Sequence, residues 1–271
     1  MIKRVLGAML VVAMGVACTE KRGDDNVSKP LPDNGKHYVK SIDMYEGDPE
    51  VEGGLEYCGE SIEFELDNKN RITRIMGKQT YNGGVDTYVD TKLEYDNSGG
   101  LMVKTNIDGE EAIINCELND RGAITSATYT INGEAEDLVE NFIYNKDGEL
   151  TLYSLVYAGI VVYSLEYEWR GGNIVKITSE DLGVADSCTY TDEPNPYNID
   201  TFFCYAWEMP ILCEFLPVHD GFLGNINRSM LKSYSTNVYG DEIHETIIHK
   251  FKNGLVDYTI YDDVVLKYKC F

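Results

Sequence analysis

The sequence predicts an all-β fold, a long antiparallel meander that curls into an open or closed barrel. Two observations predict it. From residue 38 to residue 190, apolar and polar residues alternate in short runs between turn residues, without a sustained apolar period of 3.6 residues. A short turn motif also recurs along this stretch. Together they predict roughly 16 strands, too many for a flat open sheet.

The recurring motif is an apolar residue, Asn or Asp, two polar residues, Gly or Asn, any residue, and Ile or Leu. In a hairpin with a type I turn and a G1 bulge, the residue after the central pair takes positive φ, which Gly tolerates best and Asn next. The copies predict these cross-strand pairs: Leu66 with Ile72, Tyr95 with Leu101, Leu93 with Val103, Leu118 with Ile124, Tyr144 with Leu150, and Phe142 with Leu152.

The clearest strand pair is 151–157 with 161–169. Its apolar residues are all odd-numbered, so they share one face only if the connection is an odd loop or one strand has a bulge. We expect a three-residue loop at 158–160. Tyr and Trp combine an apolar ring with a polar group, which suits a ligand cavity, although such a row is more often plain core. The candidate ligand-binding residues are Tyr153, Tyr157, Tyr163, Tyr167 and Trp169.

Two prolines in 192–196 stop the sheet, because neither can sit in a central strand. The segment near 199–216 is apolar and aromatic without alternation, which predicts a short helical or irregular segment broken at Pro210. The sheet resumes at 230–238. Three strands then close it, at 242–252, 255–261 and 264–271, the first two joined by an Asn-Gly turn.

The N-terminus predicts a secreted lipoprotein. Residues 1–17 combine two basic residues with an apolar run that is too short to span a membrane, as in a signal peptide. Cys18 follows Gly-Val-Ala, so we expect cleavage before Cys18 and its acylation, with an ordinary secreted protein as the alternative. Residues 18–37 are polar and hold two prolines, which predicts a flexible tether to a single β-domain over 38–271.

The chain is strongly acidic. Its formal net charge of −23 becomes −25 once residues 1–17, which carry two basic residues and no acidic one, are removed. Such a field repels phosphate backbones and anionic lipids, so we expect no nucleic-acid partner. The acidic residues either solubilise the surface or form an acidic binding face. Apart from Cys18 there are six cysteines and no C-x-x-C pair, which leaves buried thiols or up to three disulfides open.

Several stretches carry a family likeness. The lipoprotein start is followed by LNDRGAITSATYTI, IYNKDGELTLYSL, YEWRGGNIVKIT, YTDEPNPYNID and a late FLGNINRSMLKSYS. Over about residues 60–270 the chain resembles a Bacteroidetes lipoprotein family of unknown function with a porin-like antiparallel β-fold, and its hairpins resemble YD-type repeats. The resemblance implies a porin-like curled sheet on an envelope anchor, with some members described as lipid-binding. It implies no catalytic residues.

The sequence indicates no catalytic site, metal site or cofactor. His244 and His249 lie five residues apart and so point to opposite faces of a strand. No Gly-x-Ser-x-Gly elbow accompanies His219, and no turn has the ligand pattern of an EF-hand. Lys267 and Lys269 in the last strand argue against a lipid-facing surface and a membrane-spanning barrel.

We therefore expect a non-enzymatic lipoprotein of the cell envelope, held at the outer membrane through its acyl anchor only, on either the periplasmic or the surface side. Its expected partner is a lipid or small amphiphile bound inside the curled sheet. The alternative is a cell-surface adhesin or scaffold that binds glycan or protein through exposed loops. An enclosed cavity would favour the first function, and a solid core with exposed aromatic patches the second.

Overall fold

The computed structural model describes residues 37–51, 53–81, 84–96, 100–107, 110–197, 199–200, 210–214, 218–219, 222–238, 241–261 and 264–270. A turn of 3₁₀ helix spans Ile211–Glu214. None of the helices among these residues is long and apolar enough to cross a bilayer. The strands are β1 Val39–Gly47, β2 Leu55–Leu66, β3 Ile72–Tyr81, β4 Gly84–Tyr95, β5 Gly100–Ile107, β6 Glu110–Leu118, β7 Ile124–Ile131, β8 Glu134–Tyr144, β9 Leu150–Tyr157, β10 Ile160–Arg170, β11 Asn173–Ser179, β12 Val184–Pro194, β13 Ile199–Asp200, β14 Val218–His219, β15 Ser229–Val238, β16 Asp241–Lys252, β17 Leu255–Tyr261 and β18 Val264–Cys270.

Sixteen of the described strands pair in a closed antiparallel order. The order runs from β1 through β18, β17, β16, β15 and β12, then stepwise from β11 to β2, which pairs with β1 again. β13 and β14 form a separate two-stranded sheet. The predicted all-β meander is confirmed, in its closed-barrel form, and so are the strands expected to close it near the C-terminus.

By its internal contacts the chain divides into two compact units. The first takes in Thr91–Asn195 and Ile199–Thr246. The second takes in, among the described residues, 37–90, 196–197 and 247–270. Each unit has its own apolar core. Fully buried side chains of the first include Ile114, Leu150 and Tyr153, and those of the second include Ile42, Ile72 and Leu266. The single domain expected over 38–271 stays a prediction.

The recurring turns have the geometry that the motif predicts. Asn70, Gly122 and Gly148 take φ of 60°, 84° and 92°. In each of these three copies the Asn or Asp oxygen accepts hydrogen bonds from the amides two and four residues later, at 2.9 and 3.1 Å in the Asn145 copy. These predicted pairs are confirmed: Leu66–Ile72, Tyr95–Leu101, Leu93–Val103, Leu118–Ile124 and Tyr144–Leu150.

One predicted pair is wrong by one residue. Phe142 pairs with Tyr153 and not with Leu152. The register shifts because Thr151 is an extra residue in β9, a β-bulge, and its Oγ1 donates a hydrogen bond to the carbonyl oxygen of Ile143 at 3.1 Å. The bulge turns Tyr153 onto the buried face with Leu150.

The same bulge recurs wherever a threonine follows the last residue of the motif. Thr73 and Thr125 donate to a carbonyl eight residues earlier, as Thr151 does, and the register shifts beside each of them. The copy that begins at Tyr95 has Met102 in this position and pairs without a shift. The register shift is therefore present in the three copies that have threonine at this position and absent from the copy that has methionine.

The predicted three-residue loop between β9 and β10 is wrong. The connection is a two-residue turn, Ala158-Gly159, with φ of 49° and 79°. A bulge between Val161 and Tyr163, the alternative that the sequence left open, restores the common face. The rings of Tyr153 and Tyr163 accordingly lie 5.8 Å apart, centroid to centroid.

Few of the described residues between β12 and β15 lie in regular secondary structure, as expected near 199–216. Residues 201–209 and 215–217 lie outside the described residues. The last part of the chain between β12 and β15, residues 222–228, runs across three of the hairpin turns, and we call it the strap. The strap accepts an amide hydrogen bond from Ile124 (3.0 Å) and donates amide hydrogen bonds to the carbonyl oxygens of Gly148 (2.8 Å) and Gly172 (2.9 Å).

Candidate functional site

The five predicted ligand-binding aromatics do not share one environment. Tyr153 is 0% exposed and Tyr167 is also buried. Tyr163 and Trp169 are half-buried, and the Trp169 indole N–H donates to the carbonyl oxygen of Leu150 at 2.7 Å. Tyr157, at the end of β9, is 56% exposed. The structure therefore brings Tyr153, Tyr163 and Tyr167 into the core of the first unit and leaves Tyr157 at its surface.

A buried carboxylate organises this core. Glu140 on β8 is 0% exposed and accepts hydrogen bonds from the hydroxyls of Tyr129 and, at 2.8 Å, of Tyr153. It also accepts one from the backbone amide of Leu212, in the 3₁₀ turn, at 3.1 Å. A buried charge requires such donors, because an unpaired one would lose its hydration without compensation. Glu140, on β8, thus links β7 and β9, through their tyrosines, to the segment between β12 and β15.

The two tyrosines act as donors because they stay protonated. Burial, and then the charge of Glu140, raise the pKa of Tyr129 and of Tyr153 well above the ordinary value. Glu140 was not among the residues predicted from the sequence. A signal was present, since side chains alternate along a strand and Glu140 therefore lies on the same side as Phe142 and Tyr144, two of the paired apolar residues.

Next to this core, the β9–β10 hairpin carries an exposed apolar surface. Ile160 is 71% exposed, and Tyr157, Val161 and Val162 are each more than half exposed. Leu182, in the turn between β11 and β12, is exposed as well. We call these five side chains the hairpin patch. An antiparallel strand normally presents polar residues to water on at least one face, so three consecutive exposed apolar residues depart from the usual alternation.

The hairpin patch is held in place by its neighbours. The Ala158 amide, at the tip of the hairpin, donates to the carbonyl oxygen of Asp137 on β8 at 2.8 Å. On the other side, a carboxylate oxygen of Asp181 accepts hydrogen bonds from the Ser164 amide (3.1 Å) and from its hydroxyl (3.2 Å). The hairpin tip is therefore tied to β8 and to the β11–β12 turn.

Carboxylates surround the hairpin patch. β8 begins with exposed acidic residues, and the β11–β12 turn carries two more. The stretches 131–140, 155–164 and 179–185, all described, contain no Lys, Arg or His. The exposed acids are Glu134, Glu136, Asp137, Glu180 and Asp181.

Two of the described histidines, His244 and His249, contact hydroxyl groups of neighbouring strands. His244 Nδ1 lies 2.6 Å from Ser235 Oγ, and His249 Nδ1 lies 2.8 Å from Thr259 Oγ1. No group of three or more His, Cys, Asp or Glu suited to a metal ion occurs in the described part of the chain. Burial raises the pKa of the Cys116 thiol to about 12, so it is unreactive as a nucleophile at neutral pH.

No protein-family model and no curated protein matches the sequence. The solved structures that are similar to it include two porin-like proteins. A porin-like protein from Bacteroides uniformis is 15% identical, with a TM-score of 0.66 over 88% of this chain and 100% of the other. A porin-like protein from Bacteroides vulgatus is 8% identical, with a TM-score of 0.54 over 86% of this chain and 98% of the other. The porin-like fold is thereby confirmed, whereas the lipoprotein assignment and the YD-type likeness stay predictions.

Proposed function

We propose that this protein is a non-enzymatic lipoprotein of the cell envelope, anchored through Cys18, that binds a protein partner with the hairpin patch. The observation that carries the proposal is the cluster of exposed apolar side chains on a hairpin that is fixed on both sides. Monomeric proteins rarely expose clustered apolar surface without an interaction that uses it.

The charge around the patch indicates the kind of partner. Five exposed carboxylates lie at the start of β8 and in the β11–β12 turn, which flank it, and the stretches 131–140, 155–164 and 179–185 carry no basic residue. A protein segment with apolar side chains flanked by lysine or arginine would bury the patch and pair with these carboxylates. An anionic lipid surface would instead be repelled, and a neutral glycan would leave the charge uncompensated.

The alternative of an amphiphile held inside the sheet has weaker support. The row proposed to line its cavity has Tyr153 and Tyr167 closed in by their own chain, and the Tyr153 hydroxyl is already committed to Glu140. Core packing and an exposed apolar patch are the features expected of a surface-binding protein.

The anchor is tested separately from the binding. Expression in a Gram-negative host should give a chain that begins at Cys18 and carries acyl groups, visible by mass spectrometry of the detergent-extracted protein. Cys18→Ser should abolish acylation. An unmodified wild-type chain would contradict the anchor and leave the binding proposal untouched.

For binding, the Cys18→Ser chain is titrated with a synthetic amphipathic peptide of leucine and lysine, using calorimetry. We expect saturable binding that weakens as salt is raised, because salt screens the attraction between the carboxylates and the lysines of the peptide. Covering Ile160 would contribute about 1.5–3 kcal/mol. Ile160→Ser and Val162→Ser should therefore each weaken binding by about tenfold or more.

Val85→Ser is the matched control, because Val85 is an apolar β-strand residue that is 68% exposed and lies outside the patch. It should leave the affinity unchanged. Equal affinity of the Ile160→Ser variant would mean that the peptide responds only to net charge and would refute the patch. Binding of neutral vesicles or of an arrayed glycan that is lost in Ile160→Ser would replace the protein partner by that class of ligand.

A further inference from the structure

A second candidate site lies at the other end of β8 and β9. Two copies of the turn motif, at 119–122 and 145–148, and the strap enclose an open cleft of about 560 Å³. Pockets for small molecules typically measure about 300–1,000 Å³. We call it the turn-end cleft.

The walls of this cleft are fixed by hydrogen bonds. Arg121 Nη2 donates to the carbonyl oxygen of Lys146 at 2.8 Å, which joins the two turns. Asn225 of the strap donates its side-chain amide to the carbonyl oxygen of Asp147 at 3.1 Å. Gly224 lies so close that a Cβ there would meet the carbonyl oxygen of Gly148 at 2.3 Å. The cleft is therefore preformed, which lowers the entropic cost of binding a ligand.

Two cations on the lining lack acidic partners. Arg121 and Lys146 are exposed, and neither forms an ion pair with a residue that the structure describes. The nearby Arg170, by comparison, pairs with Glu168 at 2.9 Å. Arg121 uses Nη2 internally and keeps further guanidinium donors for a ligand oxygen.

The rest of the lining limits the ligand to a singly charged molecule with an apolar part. Ile143, which also lines the cleft, is 53% exposed and supplies apolar wall. Asp120 also lines the cleft and opposes a second negative charge on the ligand. We propose that the turn-end cleft binds a small organic carboxylate, with its head at Arg121 and Lys146 and its apolar body along Ile143.

The test is a titration of the Cys18→Ser chain with octanoate by calorimetry. Octyl glucoside has the same tail without the charge, and inorganic phosphate has charge without the tail. We expect saturable one-to-one binding of octanoate only. Arg121→Gln and Lys146→Gln should each weaken it by about tenfold, the effect of losing a charge-assisted hydrogen bond. Lys146→Gln leaves its backbone carbonyl, and so the link between the turns, in place.

Arg170→Gln is the control, because Arg170 is an exposed arginine of a neighbouring hairpin outside the cleft, and it should bind octanoate like the wild type. Absence of saturable binding would overturn the proposal, as would equal affinity of Lys146→Gln and the wild type. Equally tight binding of octyl glucoside would remove the role of the cations. Equally tight binding of phosphate would remove that of the apolar wall. None of these outcomes bears on the hairpin patch.

Discussion

The two ends of the first unit differ in how their side chains are used. At the strapped end, formed by the turns at 119–122, 145–148 and 171–172 and by the strap, polar side chains bond to the backbone across the turns. One of them, Asn227 Oδ1, accepts the Ile174 amide at 2.6 Å. The acidic end is formed by the turns at 132–133, 158–159 and 180–183. Here acidic and apolar side chains are exposed, and the stretches 131–140, 155–164 and 179–185 include no Lys or Arg.

This difference separates side chains that hold turns together from side chains that are left for a protein partner. Bonds between turns that are distant in sequence stabilise the strapped end, so its residues are constrained by the fold. The acidic end is held by backbone bonds and by Asp181, and most of its side chains are left for contact with other molecules. Substitutions of the residues that hold the turns should therefore cost stability at the strapped end, and substitutions of exposed apolar residues at the acidic end should cost binding of the protein partner.

The largest contrast is expected between two glycines of similar φ. Gly224 (77°) and Gly159 (79°) both carry the cost of a left-handed backbone when replaced by Ala, about 1–2 kcal/mol. Only Gly224 also meets close neighbours, the Gly148 carbonyl at 2.3 Å and the Tyr144 ring at 2.8 Å, whereas a Cβ at Gly159 meets nothing within 4 Å. Overpacking adds about 1–3 kcal/mol. Urea unfolding should show Gly224→Ala as the more destabilised variant by that margin; equal losses would mean that the strap yields freely.

A smaller contrast is expected between two turn asparagines. Asn145 Oδ1 caps the amides of Asp147 and Glu149, and its Nδ2 donates to Glu149 Oε2 at 2.7 Å, so Asn145→Ala removes three hydrogen bonds and should lower the free energy of unfolding by about 1–2 kcal/mol. Asn132, at the acidic end, has positive φ but no side-chain hydrogen bond to a described residue. Asn132→Ala should cost less than about 1 kcal/mol. Equal costs in thermal unfolding would show that backbone conformation, and not the side-chain cap, governs both turns.

The buried face near the acidic end contains a carboxylate whose effect depends on pH. Asp186, on β12 just after the 180–183 turn, is 1% exposed, and no hydrogen bond of ordinary geometry from the described residues reaches its oxygens. Burial raises its pKa, with Thr236 opposing the shift in part. The folded state then holds the proton more tightly than the unfolded state. The contribution of protonated Asp186 to the stability of the fold is fully present below the ordinary pKa of about 3.9. It is lost as pH rises through the raised pKa.

In Asp186→Asn the side chain does not ionise, so stability is not lost at this position as pH rises. The variant should be more stable than the wild type by about 1 kcal/mol at pH 7, and the difference should disappear below pH of about 3.9. Urea unfolding across this pH range measures both. A difference that stays constant with pH would mean that Asp186 does not titrate differently in the folded protein.

Local features of this fold could be predicted from the sequence and long-range ones could not. The turn copies fix their own pairs within a few residues, so Tyr144–Leu150 is right. Phe142–Leu152 is wrong because the Thr151 bulge depends on a hydroxyl whose significance becomes clear only when the copies are compared. The strap and Glu140 depend on contacts such as Glu140–Leu212, 72 residues apart, for which a sequence offers no register.

The candidate site shows the same limit. The alternation of side chains along β9 placed Tyr153 and Tyr157 on one face. Alternation cannot show where a strand extends beyond the core, and Tyr157 is exposed while Tyr153 is buried. The sequence also gives no indication that the two cations of the turn-end cleft lie on one surface. Arg121 and Lys146 occupy variable positions of two separate turns, and the motif does not predict that the Arg121 side chain bonds to the backbone of the other turn.

The smallest effect on stability is expected at the hairpin patch. Ile160→Ser should change the free energy of unfolding by less than about 0.5 kcal/mol, because a side chain that is 71% exposed loses little burial. Ile114→Ala, at a fully buried position of the same unit, should cost about 2–5 kcal/mol and shows that the urea measurement detects a real loss. If Ile160→Ser cost more than about 1 kcal/mol, the patch would be part of the folding core and the division between the two ends would fail. A neutral Ile160→Ser that no longer binds the leucine–lysine peptide would instead show that the acidic end keeps these side chains for its partner.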